Sequence, residues 1–286
     1  GLRKYYKDED DFGIKSPRNL LHNPLGLCKN LNKITKIWNV VEDYPIVKLL
    51  LKCNENAKLF LSGYLYRFDT EEITEENVLD ICEILLRLFT VLELSDSGYS
   101  SAKFKSFLFA ENIKLVDKNI SIETIKNNFN QHISRNWTED SIKESIFEYD
   151  KNLLVFINEY AFSKSKSVNF DFAENVNIEH IMPASGRNIT TIQTDAGINN
   201  KEEFNGIVNK LGNKILLEED INKSIGREWF KTKKQNSIKD KSGYKDSGYA
   251  IAQALTKYPN DTWTKDDIDK ATNKAVERIV KFIFNK

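Results

Sequence analysis

NVNIEHIMPASGR, residues Asn175–Arg187, holds the only Met of the chain and one of its three His. Val176 and Ile178 alternate with polar residues, as they do on one face of a half-buried strand, and Pro183 ends any such strand within a few positions. Glu179 and His180 therefore stand where an extended segment stops. Core packing accounts for Val176, Ile178 and Ile181. An acid and an imidazole side by side at that place invite a chemical reading as well.

The alternation runs from Val168 to Ile178, and NKILLEE, Asn213–Glu219, reads as a second short strand. Between the two strands lies a polar stretch rich in Asn, Gly and Thr, with room for one short helix around Glu202–Asn209. A helical pattern with Trp229, Phe230 and Ile238 follows Asn222. The chain closes with WTKDDIDKATNKAVERIVKFIF, a long helix capped by Thr264 or Asp266. Successive residues of a regular strand point to opposite faces, so for Glu179 and His180 to share a site the backbone must be irregular there.

Hydrolysis of a phosphodiester needs a base for water, a divalent cation to offset charge on the phosphate, and a group that orients the base. His180 suits the base, because imidazole titrates near 6.5 and is largely neutral at cellular pH. Magnesium or manganese takes oxygen ligands and keeps several waters, so Glu179 and the side-chain carbonyl of Asn222 would suffice to hold one ion. Asn213 can bind His180 or its backbone and fix the ring. After Asn222, Lys223, Arg227, Lys231, Lys233 and Lys234 are candidates to grip phosphates, although a charge run on a helix is often only a solvated face. Trp229 and Phe230 read as core.

These residues carry a resemblance. IEHIMP followed by GNKILLEEDIN is similar to the His-Asn-His (HNH) nuclease motif of the ββα-metal finger, in which an acid–His pair on one strand precedes an Asn on the next and an Asn or His opening a helix. With WF and Lys, YKDSGYAIAQAL, Trp263 and a closing helix, the segment from Val168 onward resembles the nuclease domain DUF1524. That domain usually follows a DUF262 domain in GmrSD-type restriction and anti-phage proteins. The resemblance implies a magnesium- or manganese-dependent DNA endonuclease, with His180, Asn213 and Asn222 catalytic and Glu179 and Asn222 on the metal. It also implies that recognition of foreign or modified DNA resides in a DUF262-like part preceding Gly1. The sequence has no initiator Met, which fits a fragment of a longer protein. No CxxC pair is present, so no zinc is expected.

The chain has 286 residues, 40% hydrophobic and 29% charged, enough for one large or two modest domains. Lys and Arg balance Asp and Glu at 42 each, so attraction to nucleic acid must come from a local patch. Glu71–Asp96 is acidic and Lys223–Lys245 basic. No run of about 18 apolar residues and no secretory signal is visible, so no membrane partner is expected. Cys28, Cys53 and Cys82 read as reduced, buried thiols of a cytoplasmic protein.

From Leu20 to Phe162 the pattern is helical, with starts at Thr74, Ser121 and Thr138 and a buried helix over Leu153–Tyr160. His22 and His132 stand alone in this half and read as structural. SKSKS, Ser163–Ser167, marks a boundary. The expected fold is therefore mainly α with a small α+β insert: a helical domain over 1–165, then an HNH finger flanked by helices over 166–286. Two other functions stay open, a catalytically silent helical module that binds DNA or protein and a nuclease directed at RNA. A single centre cutting both strands would act as a homo-oligomer or by two visits.

Overall fold

The computed structural model describes residues 23–95, 102–172, 175–235 and 242–286. His22, Ile238 and the charged first segment lie outside the described residues. Among the described residues there are fourteen α-helices and one two-stranded antiparallel sheet.

Helices α1 (Pro24–Val41), α2 (Pro45–Cys53) and α3 (Ala57–Leu65) lead into α4 (Glu75–Leu94), the axis of the first half. Thr74 caps α4: its Oγ1 accepts from Asn77 N at 3.3 Å, and Asn77 Oδ1 accepts from Thr74 N at 3.0 Å. Glu75 and Glu76 sit at the positive end of the helix dipole. Beyond Ile81 nearly every side chain of α4 is buried, as for a helix with neighbours all round. Helices α5 (Ala102–Val116), α6 (Ile122–Asn136), α7 (Glu139–Glu148) and α8 (Leu153–Ser165) follow, with Ser121 and Thr138 capping α6 and α7. Buried Glu83 of α4 accepts from Tyr160 OH and Lys164 Nζ of α8, each at 2.5 Å, and this ties the two helices together.

Cys53 and Cys82 are buried, and burial pushes the Cys53 thiol up to about 12, so it stays protonated. Cys28 departs from the expectation: it is exposed, on the solvent side of α1. His132 stacks on Phe107 at 3.8 Å between ring centroids, and burial holds its pKa below the ordinary value.

SKSKS forms the last turn of α8 and a left-handed residue, Ser167, at φ 52°. The extended chain expected from Val168 is shorter than its alternation suggested. Phe170 and Phe172 instead anchor an irregular segment against Tyr160 and Phe156, and β1 spans only Val176–His180. Helix α9 (Ile189–Asp195) was not foreseen, whereas α10 (Lys201–Val208) lies where a short helix was expected. A 3-10 turn at Leu211–Asn213 then enters β2 (Lys214–Glu218), and α11 (Glu219–Ile225) starts directly after it. Helices α12 (Phe230–Gln235), α13 (Ala250–Thr256) and α14 (Lys265–Phe284) complete the order. Thr264 caps α14 reciprocally with Asp267.

Helix α14 packs on α4, α7, α8 and the 3-10 turn, while β2 lies against α8 and α13. One continuous cluster of buried apolar residues runs through both halves, so residues on either side of the 165/166 junction share a core. The closest approach is at Gly212, where an added Cβ would meet Ile268 O at 2.3 Å and Thr272 N at 2.4 Å. Only glycine permits that backbone contact, and Gly212 N donates to Thr272 Oγ1 at 3.0 Å. Among the described residues no helix is long and apolar enough to cross a membrane.

Candidate active site

β1 pairs with β2 in a regular antiparallel register from Val176↔Glu218 to His180↔Lys214. The irregularity expected at Glu179–His180 is absent: the pairing stays in register past the pair, with Ile181 N donating to the opposite Asn213 O at 2.9 Å, and the chain bends only at Ile181–Met182. Strand alternation therefore persists through the pair. Glu179 points inward, 5% exposed, and His180 lies on the other face, partly exposed.

The Glu179 carboxylate is held by two donors on one oxygen: Lys233 Nζ at 2.5 Å and Tyr244 OH at 3.1 Å, both to Oε1. Lys233 is fully buried and also donates to His180 O at 2.8 Å and Ile181 O at 3.2 Å, which occupies all three ammonium protons. It clamps the backbone where the strand ends. Beside the carboxylate, Tyr244 has its own pKa driven well above the ordinary value, first by burial and then by the Glu179 charge. Lys234 is also interior, donating to Tyr258 O at 2.9 Å and Asn260 O at 2.6 Å. The basic row read from the sequence is therefore corrected at these two positions. They stand three and four residues after buried Phe230, on the helix face that turns into the core.

His180 Nε2 lies 3.3 Å from Asn209 Oδ1, the residue that caps the C-terminus of α10. Burial lowers the His180 pKa below 6.5, the Asn209 hydrogen bond works against that, and the cross-strand Lys214 charge adds to it. The ring is accordingly neutral at neutral pH, as a proton acceptor must be. Lys214 is buried too, with Nζ donating to Asn152 Oδ1 at 3.2 Å.

Asn213 is wholly buried and does not touch the imidazole. Its Oδ1 accepts from Met182 N at 2.7 Å, and its Nδ2 donates to Met182 O at 3.0 Å and to Val208 O at 2.8 Å. It thus braces the backbone two residues after His180.

A groove of about 320 Å³ runs past the strand end, and Glu179, His180, Ser185, Asn222 and Arg227 are among its lining residues. Arg227 lies exposed over Gly186 and has no acidic partner among the described residues. Lys223 pairs with Glu219, and Lys231 with Asp261 at 2.9 Å. Among the described residues no three of His, Cys, Asp and Glu gather in one place. Of the residues lining the groove, Glu179 and Asn222 carry a carboxylate and an amide carbonyl, and the Glu179 Oε1 is already engaged by Lys233 and Tyr244. That donor set suits a cation that keeps most of its waters.

Sequence reasoning missed Asn209, Tyr244 and the clamp made by Lys233. Asn209 is 29 positions from His180 and Tyr244 is 65 from Glu179, and no local pattern encodes either contact.

Fold and site together define a helix-rich protein in which a two-stranded antiparallel sheet followed by a short helix brings a partly buried histidine, a buried glutamate and an asparagine to the lining of one groove. The chain belongs to the family of GmrSD restriction endonucleases, matching their C-terminal domain over residues 116–277. The match runs across the 165/166 junction, in keeping with the shared core. No curated protein and no solved structure shows significant similarity to the chain.

Proposed function

We propose that this chain is a metal-dependent DNA endonuclease of the HNH, DUF1524-like type, acting in restriction or anti-phage defence. In this reading the β1–β2–α11 unit is its ββα-metal finger. The observation that supports it most is the position of His180, a ring kept neutral by burial and opening on the groove that Glu179, Asn222 and Arg227 also line.

His180 accepts the proton of a water as that water's oxygen bonds to phosphorus. The P–O3′ bond breaks, and the departing 3′ oxygen takes a proton from solvent water, leaving a 5′-phosphate and a 3′-hydroxyl. Glu179 and Asn222 would hold one magnesium or manganese ion, which would supply charge stabilisation for the departing oxygen. Asn213 keeps the Met182 backbone in place behind the base, and Arg227 meets a substrate phosphate. Lys233 neutralises one side of Glu179 and holds the strand end. One such centre cuts one strand, so a double-strand break calls for two copies or two visits. Selection of the foreign or modified DNA would fall to a DUF262-like partner domain.

Supercoiled plasmid and a matched structured RNA, each incubated with the chain in magnesium, manganese or EDTA, test the reading. Metal-dependent relaxation of the plasmid that Asn222→Ala and His180→Ala abolish supports it. Cleavage of the RNA alone would replace DNA as the substrate.

A further inference from the structure

We infer that Asn209 is a positioning residue for His180, holding its Nε2–H so that Nδ1 is the nitrogen presented to water; this rests on the base role proposed above.

The first observation is the contact itself. His180 Nε2 faces Asn209 Oδ1 at 3.3 Å, and an amide oxygen can only accept, so Nε2 is the ring nitrogen that carries a proton in this contact. The second is the way the two residues are kept in register. One buried side chain, Asn213, accepts from Met182 N through Oδ1 and donates through Nδ2 to Met182 O and Val208 O. Met182 stands two residues after His180, and Val208 stands immediately before Asn209. A single amide therefore joins the segment carrying the imidazole to the segment carrying its acceptor.

Both segments are also fixed from outside. Lys233 holds His180 O and Ile181 O, and the 3-10 turn after Asn209 is pressed on α14 at Gly212. A rigidly placed acceptor is what a general base requires, because a ring free to rotate about its side-chain bonds loses rate quickly. Nothing in the contact needs DNA or metal, so the imidazole is arranged before substrate arrives.

The test combines a spectrum with kinetics. The wild-type chain should show a slowly exchanging imidazole Nε2–H proton resonance, assigned by its loss in His180→Ala. Asn209→Asp retains an acceptor oxygen and should keep the resonance, whereas Asn209→Ala should lose it. Single-turnover plasmid nicking should fall roughly ten- to a hundred-fold in Asn209→Ala, with half-saturating DNA concentration unchanged and most of the rate kept in Asn209→Asp. An Asn209→Ala chain that keeps both the resonance and the nicking rate overturns the inference. The resonance is read without DNA or metal. A chain that shows it but never nicks DNA would sink the nuclease reading, and with it the positioning role, while leaving the contact itself established.

Discussion

Lys233 donates its buried ammonium to Glu179 Oε1 at 2.5 Å and to the two carbonyls that follow, His180 O and Ile181 O. The side chain is 1% exposed and that of Glu179 is 7% exposed, so each charge depends on the other for its solvation. Removing one partner leaves the other uncompensated in the interior. Lys233→Met should therefore destabilise the protein by about 3–5 kcal/mol in urea unfolding. Adding Glu179→Gln should recover part of that loss. A Lys233→Met chain of unchanged stability and weakened DNA affinity would return Lys233 to the role of a phosphate contact.

Arg227 is the exposed groove cation that no acid neutralises among the described residues, whereas Lys223 and Lys231 are each paired. Arg227→Ala should weaken DNA binding across sequences and lower the salt dependence of log K by about one phosphate contact. Lys223→Ala and Lys231→Ala should do less. Equal losses in all three, measured by fluorescence anisotropy over a salt series, would mean that the face acts as a diffuse field.

Gly212 carries the 3-10 turn against α14 so closely that a methyl group has no room beside Ile268 O and Thr272 N. Gly212→Ala should cost about 1–3 kcal/mol, since the obstacles are backbone atoms and not a flexible side chain. Asn213→Ala, which strands Met182 and Val208, should be at least as damaging and should also slow nicking. Thermal unfolding of the two variants decides, and a Gly212→Ala midpoint equal to wild type would refute the packing of this turn.

Glu159, buried on α8, accepts from Ala250 N at 2.6 Å and Ile251 N at 3.3 Å at the start of α13. Burial raises its carboxyl from 4.5 to about 7, with those two N–H groups, Ser163 and the Arg278 charge opposing. A carboxyl whose folded value exceeds the unfolded one binds more protons when folded between the two values. Its contribution to stability is therefore present below about pH 4.5 and falls as pH rises to about 7. Glu159→Gln removes that dependence. The stability difference, wild type minus variant, should decline over this window and level off above it. A difference independent of pH would show that Glu159 ionises as a solvated acid does.

Local rules made much of the fold legible. Thr74, Ser121, Thr138 and Thr264 are capping residues that announce their helices within four positions, and both strands stood out by alternation and a short apolar run. Helix α9 did not, because Ile189–Asp195 is short and polar with Ile192 alone buried. The site was legible as residue types along the chain: Glu179, His180 and Asn222 do line one groove. What each does was less visible. Asn213 holds backbone and not the ring, and Lys233 and Lys234 looked like part of a solvated row because the core face of α12 is set by what packs on Phe230. Asn209 bears no mark in the sequence, since its role depends on a strand end 29 residues away.

His180 as the base of metal-dependent strand cleavage is the central proposal. The direct measurement is single-turnover conversion of supercoiled plasmid to nicked circles by wild type and His180→Ala, in magnesium and in EDTA, with circular dichroism confirming that both are folded. Wild type should nick in magnesium only, and His180→Ala should lose activity by at least a hundred-fold, the scale expected when a general base is removed. Nicking of equal rate by a folded His180→Ala chain would contradict it.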